Sequence, residues 1–528
     1  MRRWNGWGDD TVVVPLSEPA LELLGRLLGP GTPPRDATLS EALAAVPSSR
    51  LPTHPLISVD PLDRLHHARG QSLPDWIALR SGRIDAFPDG VAYPASGEEV
   101  RALIDVARAT GVRLIPYGGG TSVVGHVNPR GDAPVLTVDM RRLSLLQHLD
   151  EKSRLATFGA GVVGPALEAQ LRARGYTLGH FPQSFEYSTL GGWVATRSSG
   201  QQSLGYGRIE QLFAGGRLET PAGTLELPPF PASAAGPDLR QLVLGSEGRL
   251  GILTEATVRV TPLPEREAFH AVFFPDWECA LAAARSLAQA GLPLSMLRLS
   301  TPVETATTLA LAGHARAIGA LERLLALRGA GDGKCLLLLG FTGRSRLVRQ
   351  ARREALAIAR SYAGIHTGQL FGKQWRKSRF RAPYLRNTLW ELGYAVDTLE
   401  TATTWSRVSA LLEHIETALR SALLAEGEQV HVFTHLSHVY PTGSSIYTTF
   451  VFRIAGDACE TLRRWQILKE TASRAIIEDG GTISHQHGVG ADHRPYLAVE
   501  KGALGMAALH AVCSSFDPDG LMDSGNLL

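Results

Sequence analysis

The chain has 528 residues, of which 44% are hydrophobic and 20% are charged, and its formal net charge is +2. This length exceeds a single hydrophobic core, and the weak net charge excludes a global attraction to nucleic acid or anionic membranes. The four widely spaced cysteines lack CxxC spacing, which argues against zinc ribbons, iron–sulfur clusters and a disulfide framework. Because no signal peptide or bilayer-length apolar stretch stands out, we expect a cytoplasmic protein.

The predicted secondary structure changes near residue 85. Residues 1–85 are rich in proline and in Leu/Ala runs, which predict short helices and loops without a complete core. From Ala92 the pattern becomes strand, helix, strand and glycine loop. Ser96 and Glu99 form a capping box, and Gly111 suits the C-terminal cap. A second helix is predicted from Pro165 to Gly175, and a half-buried strand follows from Ile252.

The second half of the chain predicts another architecture. From 265 to 475, strand-like runs such as KCLLLLGFT and SIYTTFVFR alternate with helices, which is typical of an α+β domain with an antiparallel sheet. The tail, 476–528, holds GGTISHQHGVG, a helix and DPDGLMDSGNLL. We therefore expect a domain boundary near Pro264.

The loop PYGGGTS at 116–122 places three glycines directly after a strand. Backbone amides there can converge on a pyrophosphate without Cβ atoms in the way. A glycine run after a strand is also a common tight turn, so the loop alone decides little. It lacks the GxGxxG spacing and the GK[ST] ending, which disfavours a Rossmann or Walker site.

Four glycine-rich loops follow one another in a set order: PYGGGTS, GAGV at 159–162, PQSFEYSTLGGWVATRSSG, and GSEGRLG at 245–251. Together they resemble the PCMH-type FAD-binding domain of the vanillyl-alcohol-oxidase family. The resemblance covers 86–264 and implies FAD contacts from Pro116, Tyr117, Gly118, Gly119, Gly120, Thr121, Ser122, Pro182, Gln183, Ser184, Ser188, Ala195, Thr196, Arg197, Ser198, Glu247, Gly248, Gly251 and Ile252.

Some members of that family bond the flavin to a histidine in or beside the first loop. GGGTS contains no histidine, and His126 lies several residues later. We therefore predict non-covalent FAD, with His126 as a structural loop residue.

Further motifs sharpen the resemblance. WNGWG at 4–8, PYLRNTLWELGYAVDTLE at 383–400, GSSIYTTFVF at 443–452 and SHQHGVG at 484–490 are similar to the alkyl-dihydroxyacetone-phosphate synthase family. The resemblance implies a transferase that replaces the acyl group of acyl-dihydroxyacetone phosphate by a fatty alcohol, without net redox. It also implies small lipid substrates, no nucleic acid, and a homodimer. Contact with a membrane surface near a lipid tunnel is a weaker hypothesis.

This resemblance gives the fold and domains in full. It implies an α+β chain with an N-terminal helical extension (1–85), a two-subdomain PCMH-type FAD-binding domain (86–264), an antiparallel-sheet cap for the substrate (265–475) and a C-terminal segment that completes the active site (476–528).

The same resemblance assigns roles at the active site. Tyr447 aligns with the catalytic tyrosine, and His485 and His487 with the outer members of a three-histidine run. A phenol is a poor base at neutral pH unless nearby positive charge lowers its pKa, and these two histidines are candidates to supply it. Arg386 aligns with the substrate arginine, while Gln486, in place of the middle histidine, and His438 are assigned to substrate binding.

Several alternatives stay open. Tyr447 could be a core tyrosine of a sheet, and the basic run KQWRKSRFR around 373–381 could be a solvated helix face. A flavin-dependent D-2-hydroxyacid dehydrogenase shares the fold, although GHxGDGNxH is replaced here by SHVYPTGSSIY. No metal is predicted, yet imidazoles of His435, His438, His485 and His487 could converge on one. A flavin-binding subunit without catalysis is disfavoured by the joint presence of Tyr447, Arg386 and His487.

Overall fold

The computed structural model describes residues 2–313 and 315–528. The N-terminal segment forms four helices, Glu18–Leu28, Leu39–Ala44, Pro61–His66 and Leu73–Ser81. Their buried side chains are divided between two places. Trp7, Leu73, Trp76 and Ile77 belong to the main apolar core of the cap. A small cluster of their own is formed by Ala42, Leu65, Ala68 and Leu79 with Phe87.

The first FAD subdomain is a small mixed sheet. Its strands lie in the order Ile57–Ser58, Gly90–Ala92, Val135–Asp139 and Arg113–Tyr117, and the last three are parallel. The helix Gly97–Thr110 begins with the Ser96 side chain accepting the amide of Glu99 and ends at Gly111 in the left-handed region. The carboxylate of Glu99 accepts the amide of Ala95 instead of that of Ser96, so the predicted capping box is only half formed. This sheet ends in the PYGGGTS loop.

The second subdomain is an antiparallel sheet in the order Leu146–Asp150, Leu155–Gly159, Ile252–Arg259, Phe213–Thr220 and Gly223–Leu227. A two-stranded pair joins Tyr176–Thr177 to Thr261–Pro262. The predicted second helix spans Gly164–Arg172, three residues short of Gly175. The strand Ile252–Arg259 is buried more fully than expected, because helices Gly97–Thr110 and Leu190–Ala195 both pack on it. Short helices complete this subdomain at Ser203–Tyr206, Ile209–Leu212 and Arg240–Val243.

The cap is built on an eight-stranded antiparallel sheet. Its strand order is Ile365–Gly368, Arg266–Phe274, Cys335–Gly343, Met296–Ser300, His431–Leu436, Gly443–Arg453 and Tyr394–Thr404, with Val439–Tyr440 beside Gly443–Arg453. The helices of the cap and tail are Trp277–Gln289, Pro302–Leu311, Ala315–Ala326, Ser345–Ser361, Leu370–Ser378, Ala382–Glu391, Val408–Ser421, Ala458–Glu478 and Arg494–Phe516. Single 3-10 turns occur at Met140–Arg142, Trp405–Arg407 and Leu424–Glu426.

The predicted α+β fold class is confirmed: a two-part FAD-binding region is followed by a cap on an antiparallel sheet, with N-terminal helices. Among the described residues, no helix is both long and apolar enough to cross a bilayer.

Candidate active site

One cavity of about 690 Å³ lies between the FAD-binding region and the cap sheet. Its walls come from the N-terminal segment, the glycine-rich loops, the cap strands and residues 486–487. This volume falls within the range of small-molecule and cofactor sites. Parts of the chain that are remote in sequence thus share one site.

The structure brings nearly all the sequence-predicted FAD residues to this cavity. The residues that line it are Pro116, Tyr117, Gly118, Gly119, Gly120, Thr121, Ser122, Pro182, Gln183, Ser184, Ser188, Ala195, Thr196, Ser198, Glu247, Gly248, Gly251 and Ile252. Arg197 is the exception. Its backbone is left-handed, with φ of 52°, and its side chain donates to Leu244 O and Gln241 Oε1, away from the cavity.

Glycine is required in the first loop because two loops approach each other closely. A Cβ at Gly118 would overlap Thr189 Oγ1, and a Cβ at Gly119 would overlap the Tyr187 carbonyl oxygen. The loops at 116–122 and 182–188 can therefore lie side by side along one wall. A long cavity with this glycine wall fits FAD, whose pyrophosphate needs close approach of backbone amides.

His126 connects this wall to the tail of the chain. Its Nδ1 lies 2.8 Å from Ser122 Oγ, and its Nε2 lies 3.1 Å from Glu247 Oε2. The Glu247 carboxylate also accepts the amides of Val489 at 2.5 Å and Gly490 at 2.8 Å. The carboxylate of Glu247 is therefore committed to holding the loop after His487, whatever its backbone contributes to FAD.

Tyr447 lines the cavity from the strand Gly443–Arg453. Its hydroxyl donates to Thr398 Oγ1 at 3.2 Å, and its ring stacks on His435 with centroids 4.9 Å apart. Burial raises the pKa of the phenol above its ordinary value, and the carboxylate of Glu400 acts in the same direction. The expectation that histidine charge lowers this pKa is therefore wrong.

Arg386 also lines the cavity, from the helix Ala382–Glu391. Its guanidinium lies over Trp76, 4.4 Å from the ring centroid, and Nη1 donates to Gln71 O at 2.8 Å. Nη2 is buried and has no hydrogen-bond partner within the described chain. A buried guanidinium with an open donor suits an anionic ligand.

Glu400, which the sequence analysis missed, organises the histidine loop. It is fully buried opposite Tyr447 in the cap sheet and accepts the amides of Gln486 at 2.6 Å and His487 at 2.8 Å. Burial alone would raise the pKa of this carboxyl, but the imidazoles of His487 and His485 outweigh it, so the pKa is lowered. Two amides and one carboxylate thus fix the backbone of residues 486–487.

Within that loop the three predicted residues face different surroundings. The His487 ring lines the cavity and meets Tyr447 edge to face at 5.8 Å, and Gln486 lines the cavity with its Oε1 buried and unpartnered in the described chain. His485 does not line the cavity. It is packed behind, where Nε2 lies 2.6 Å from both Arg208 Nη1 and Tyr440 Oη.

The contacts of His485 define its protonation. Arg208 can only donate, so His485 Nε2 must accept and the proton sits on Nδ1, which lies 3.6 Å from Glu400 Oε2. Burial lowers the pKa of His485, in agreement with this neutral tautomer. His485 is therefore placed as a neutral link between Arg208 and Glu400, and not beside the substrate space that its predicted catalytic role requires.

His438 lines the cavity but is occupied by protein contacts. Its Nε2 lies 3.1 Å from Gly200 O, and its Nδ1 lies 2.8 Å from Ser437 Oγ. Burial, and next the neighbouring His485, lower its pKa well below the usual value. In the described chain no group of three or more histidine, cysteine or acidic residues is arranged to hold a metal.

A second unexpected group lies beside Tyr447. Arg298 donates to Glu304 Oε1 at 2.6 Å, and His435 Nδ1 lies 3.0 Å from the same oxygen. Burial opposes ionisation of Glu304, but Arg298 and His435 lower its pKa to about 2. The cavity wall therefore carries a closed ion pair next to the stacked His435 and Tyr447 rings.

Beyond this ion pair the cavity wall is mainly apolar. The apolar residues that line it there include Leu16, Ala20, Leu23, Leu24, Leu311, Leu385, Leu389, Val396, Phe433 and Val451. The helix Glu18–Leu28 therefore closes an apolar space against the helix Pro302–Leu311. The sequence showed only a Leu/Ala run here, and nothing in that run indicates which face meets a cavity.

The other missed residues had weak signals. Glu400 lies in the strand segment VDTLETA with a second buried acid, Asp397, and two threonines, so the sequence does not single it out. Arg298 lies in the run LRLS at 297–300, to which the sequence assigned no role. Arg208, in the stretch YGRIEQL, had no motif to single it out.

Two family models match this chain. Residues 88–227 match the family described as FAD binding domain, and residues 263–527 match FAD linked oxidases, C-terminal domain. The second match covers half of the chain.

Curated relatives and solved structures give a consistent result. The alkyldihydroxyacetonephosphate synthase of Dictyostelium discoideum is 33% identical over 446 residues, which is 83% of this chain and 73% of that protein. The Caenorhabditis elegans protein of the same name is 31% identical over 478 residues, or 88% and 80% of the two chains. A solved alkyldihydroxyacetonephosphate synthase structure has a TM-score of 0.82 at 27% identity and covers 98% of each chain.

Proposed function

Since this chain belongs to the FAD-linked oxidases and, among them, to the alkyldihydroxyacetonephosphate synthase family, we propose that it makes the ether bond of ether lipids. In this reaction a fatty alcohol replaces the acyl group of acyl-dihydroxyacetone phosphate, without net redox. The observation that carries the proposal is the joint placement of Tyr447, Arg386 and His487 on one cavity that continues into an apolar space.

The glycine-rich loops hold FAD along the wall formed by 116–122, 182–188 and 247–252. When bound, FAD would supply an electron-deficient ring that can accept an electron pair and return it, so that the cofactor ends the reaction unchanged. The chain's contribution is to place the substrate between this wall and the cap strand Gly443–Arg453.

Tyr447 is the proposed proton-transfer residue. Its hydroxyl lies in the cavity, and Thr398 and the rings of His435 and His487 fix its orientation. The phenol is neutral before substrate binds, so it must release its proton before it can accept one from the substrate. Arg386 favours the phenolate, because its charge lowers the pKa of Tyr447 against the effect of burial.

His487 is proposed to assist that proton transfer. It meets Tyr447 edge to face, and its backbone amide is held by Glu400. In this proposal His485 is a positioning residue, because it fills the space between Arg208 and Glu400 behind the cavity. Gln486 is proposed to contact the polar part of the substrate. His438 is proposed to line that space with its ring, since both of its ring nitrogens face protein atoms.

Arg386 is proposed to bind the carboxylate that leaves. Its unpartnered Nη2 can donate to an anion of the substrate. Because Arg386 lies close enough to Tyr447 to affect its pKa, it suits the acyl ester at the reacting end of the substrate better than the distant phosphate. The apolar space lined by Leu16, Ala20 and Leu24 is proposed to hold the fatty chains.

The alternative, a D-2-hydroxyacid dehydrogenase, has less support. Such an enzyme needs a polar pocket for a small acid, whereas this cavity continues into a long apolar space between Glu18–Leu28 and Pro302–Leu311. The divalent-metal reading that accompanies it is not favoured by the contacts of His438 and His485, whose ring nitrogens face protein atoms.

One assay separates the two functions. Purified holoprotein is incubated with labelled hexadecanol and acyl-dihydroxyacetone phosphate, and in parallel with D-lactate or D-2-hydroxyglutarate and a redox dye. We expect labelled ether with no dye reduction. Dye reduction without ether would overturn the transferase proposal.

Four further features are part of the proposal. Non-covalent FAD is supported by His126, whose two ring nitrogens face Ser122 and Glu247. A homodimer and a peripheral membrane contact rest on the family alone, and a cytoplasmic location on the sequence. Sedimentation of the holoprotein tests the homodimer, and pelleting with anionic liposomes at low salt tests the membrane contact.

A further inference from the structure

Arg379 lies between the helices Leu370–Ser378 and Ala382–Glu391, and its side chain lines the cavity. The guanidinium is enclosed by aromatic rings. Its Cζ lies 4.6 Å from the Phe181 centroid, 4.8 Å from that of Phe380 and 5.5 Å from that of Trp375. Phe181 directly precedes the FAD loop at 182–188, so Arg379 stands where the cap meets the FAD wall.

In the described chain Arg379 forms no ion pair, and the carboxylates of Glu267 and Glu168 act on its charge only from farther away. Nη1 donates to the neutral Gln202 Oε1 at 2.8 Å, and Nε is buried without a partner in the described chain. The nearby carboxylate of Glu267 is taken up by Gln202 Nε2 at 3.0 Å and by Arg376 Nε at 3.1 Å. Burial lowers the pKa of Arg379 to about 10, so the group is still charged at neutral pH.

A partly buried cation that lacks a close counter-charge is stabilised when a ligand supplies one. Arg379 keeps partial exposure at the cavity wall, and its Nε makes no hydrogen bond within the described protein. The edge that carries Nε can bind two oxygens of one oxyanion, which is the geometry a phosphate offers. The aromatic contacts fix the fork in one orientation, so little entropy is lost on binding.

The proposed reaction involves two anionic groups, the phosphate that the substrate keeps and the carboxylate that leaves. Arg379 and Arg386 are two guanidinium groups on one cavity, each with a buried nitrogen that lacks a protein partner. We propose that Arg379 is the phosphate-binding residue of the substrate site, while Arg386 takes the carboxylate. This inference rests on the proposed function for the identity of the substrate, and on geometry for the anion site itself.

The test measures equilibrium binding to the FAD-loaded protein without alcohol or turnover. Dihydroxyacetone phosphate and inorganic phosphate are titrated calorimetrically into wild type, Arg379→Gln and Lys377→Gln. Lys377→Gln is the matched control, since it removes the same charge two residues away on an exposed side chain. FAD content and melting temperature are recorded for each variant.

We expect Arg379→Gln to raise the Kd for both ligands at least tenfold and Lys377→Gln to change it less than twofold. Equal binding by Arg379→Gln and wild type overturns the inference, and so does an equal loss in the two variants. If Arg379→Gln does not fold, Arg379→Lys replaces it. That variant keeps the charge but lacks the forked guanidinium, so we expect a Kd several times higher than that of wild type. An unchanged Kd overturns the inference.

Failure of this inference and failure of the proposed function are distinguishable. If wild type makes no ether but binds phosphate through Arg379, only the proposed function fails. If wild type makes ether and Arg379→Gln binds dihydroxyacetone phosphate like wild type, only the assignment of Arg379 fails.

Discussion

The carboxylate of Glu247 accepts the backbone amide of Gly490 at 2.8 Å, across 243 residues of sequence. One side chain of the fourth glycine-rich loop therefore holds the loop that carries His487. Asn526 Nδ2 donates to the Glu247 carbonyl oxygen, so the closing residues are tied to the same point. The histidine loop and the FAD wall are positioned together as a result.

We expect all of the FAD to be released when the protein is denatured. His126 is the histidine nearest the first loop in sequence, and its ring nitrogens face Ser122 Oγ and Glu247 Oε2. The measurement is flavin absorbance in the supernatant after acid precipitation, relative to protein. His126→Ala is the control and should release the same amount per bound FAD. The expectation would be contradicted if flavin stayed in the pellet of the wild-type protein but was released from the pellet of His126→Ala.

Replacing Tyr447 by Phe should reduce ether formation by roughly 10²–10⁴-fold while FAD stays bound. The variant keeps the ring contacts with His435 and His487 and removes only the hydroxyl. Labelled ether and flavin content are measured together. Tyr362→Phe is the control, because its hydroxyl contacts Ser286 and the residue does not line the cavity.

The rate of wild-type ether formation should rise with pH from 6 to 9. Burial raises the pKa of Tyr447, so the phenol is protonated throughout this range and the fraction of phenolate grows about tenfold per pH unit. Initial rates at saturating substrate test this. A rate that is constant between pH 6 and 8 would show that the phenolate of the ligand-free protein is not the reacting form.

Glu400→Gln should destabilise the protein by about 2–3 kcal/mol at pH 7, because a buried charged acceptor of two amides is lost. The folded-state pKa of Glu400 is lowered below its ordinary 4.5. Its contribution is therefore complete above that value and is lost as pH falls through the folded pKa. Melting temperatures should differ most at pH 7 and converge under acid. The exposed Glu413→Gln is the control, and an equal shift in both variants would refute a specific role.

Ala20→Phe should shift the preference of the enzyme toward shorter fatty alcohols. Ala20 is buried and lines the apolar part of the cavity, so a larger side chain there shortens the space. Relative kcat/KM values for decanol and hexadecanol provide the measurement. Leu21→Phe is the control, since Leu21 is 42% exposed on the same helix and does not line the cavity. An unchanged ratio in Ala20→Phe would place the alkyl chain elsewhere.

The FAD wall could be predicted because its signal is local. Runs of glycine in a fixed order identify the loops, and close contacts between neighbouring loops then restrict the conformations of their backbone. Arg197 shows the limit of that reasoning. It lies in the expected segment, but its left-handed backbone turns the side chain toward Gln241, and a motif match does not specify the direction of one side chain.

The histidine loop could be recognised but not its support. His485 and His487 look equivalent in SHQHGVG, yet one ring faces Arg208 and the other faces Tyr447. That difference depends on Glu400, which the pairing of Tyr394–Thr404 with Gly443–Arg453 brings opposite Tyr447. Pairing between distant strands is a non-local property, and nothing in the local sequence distinguishes Glu400 from the nearby buried Asp397.

The cavity wall affects how the chain unfolds, because it is assembled from residues 7–24, the FAD loops, the cap strands and residues 486–487. No single segment can leave without opening the site, so ligand binding and the docking of the N-terminal helices are thermodynamically linked. Any molecule that fills the cavity should therefore slow proteolysis within the helix Glu18–Leu28, far in sequence from the loops that hold the cofactor.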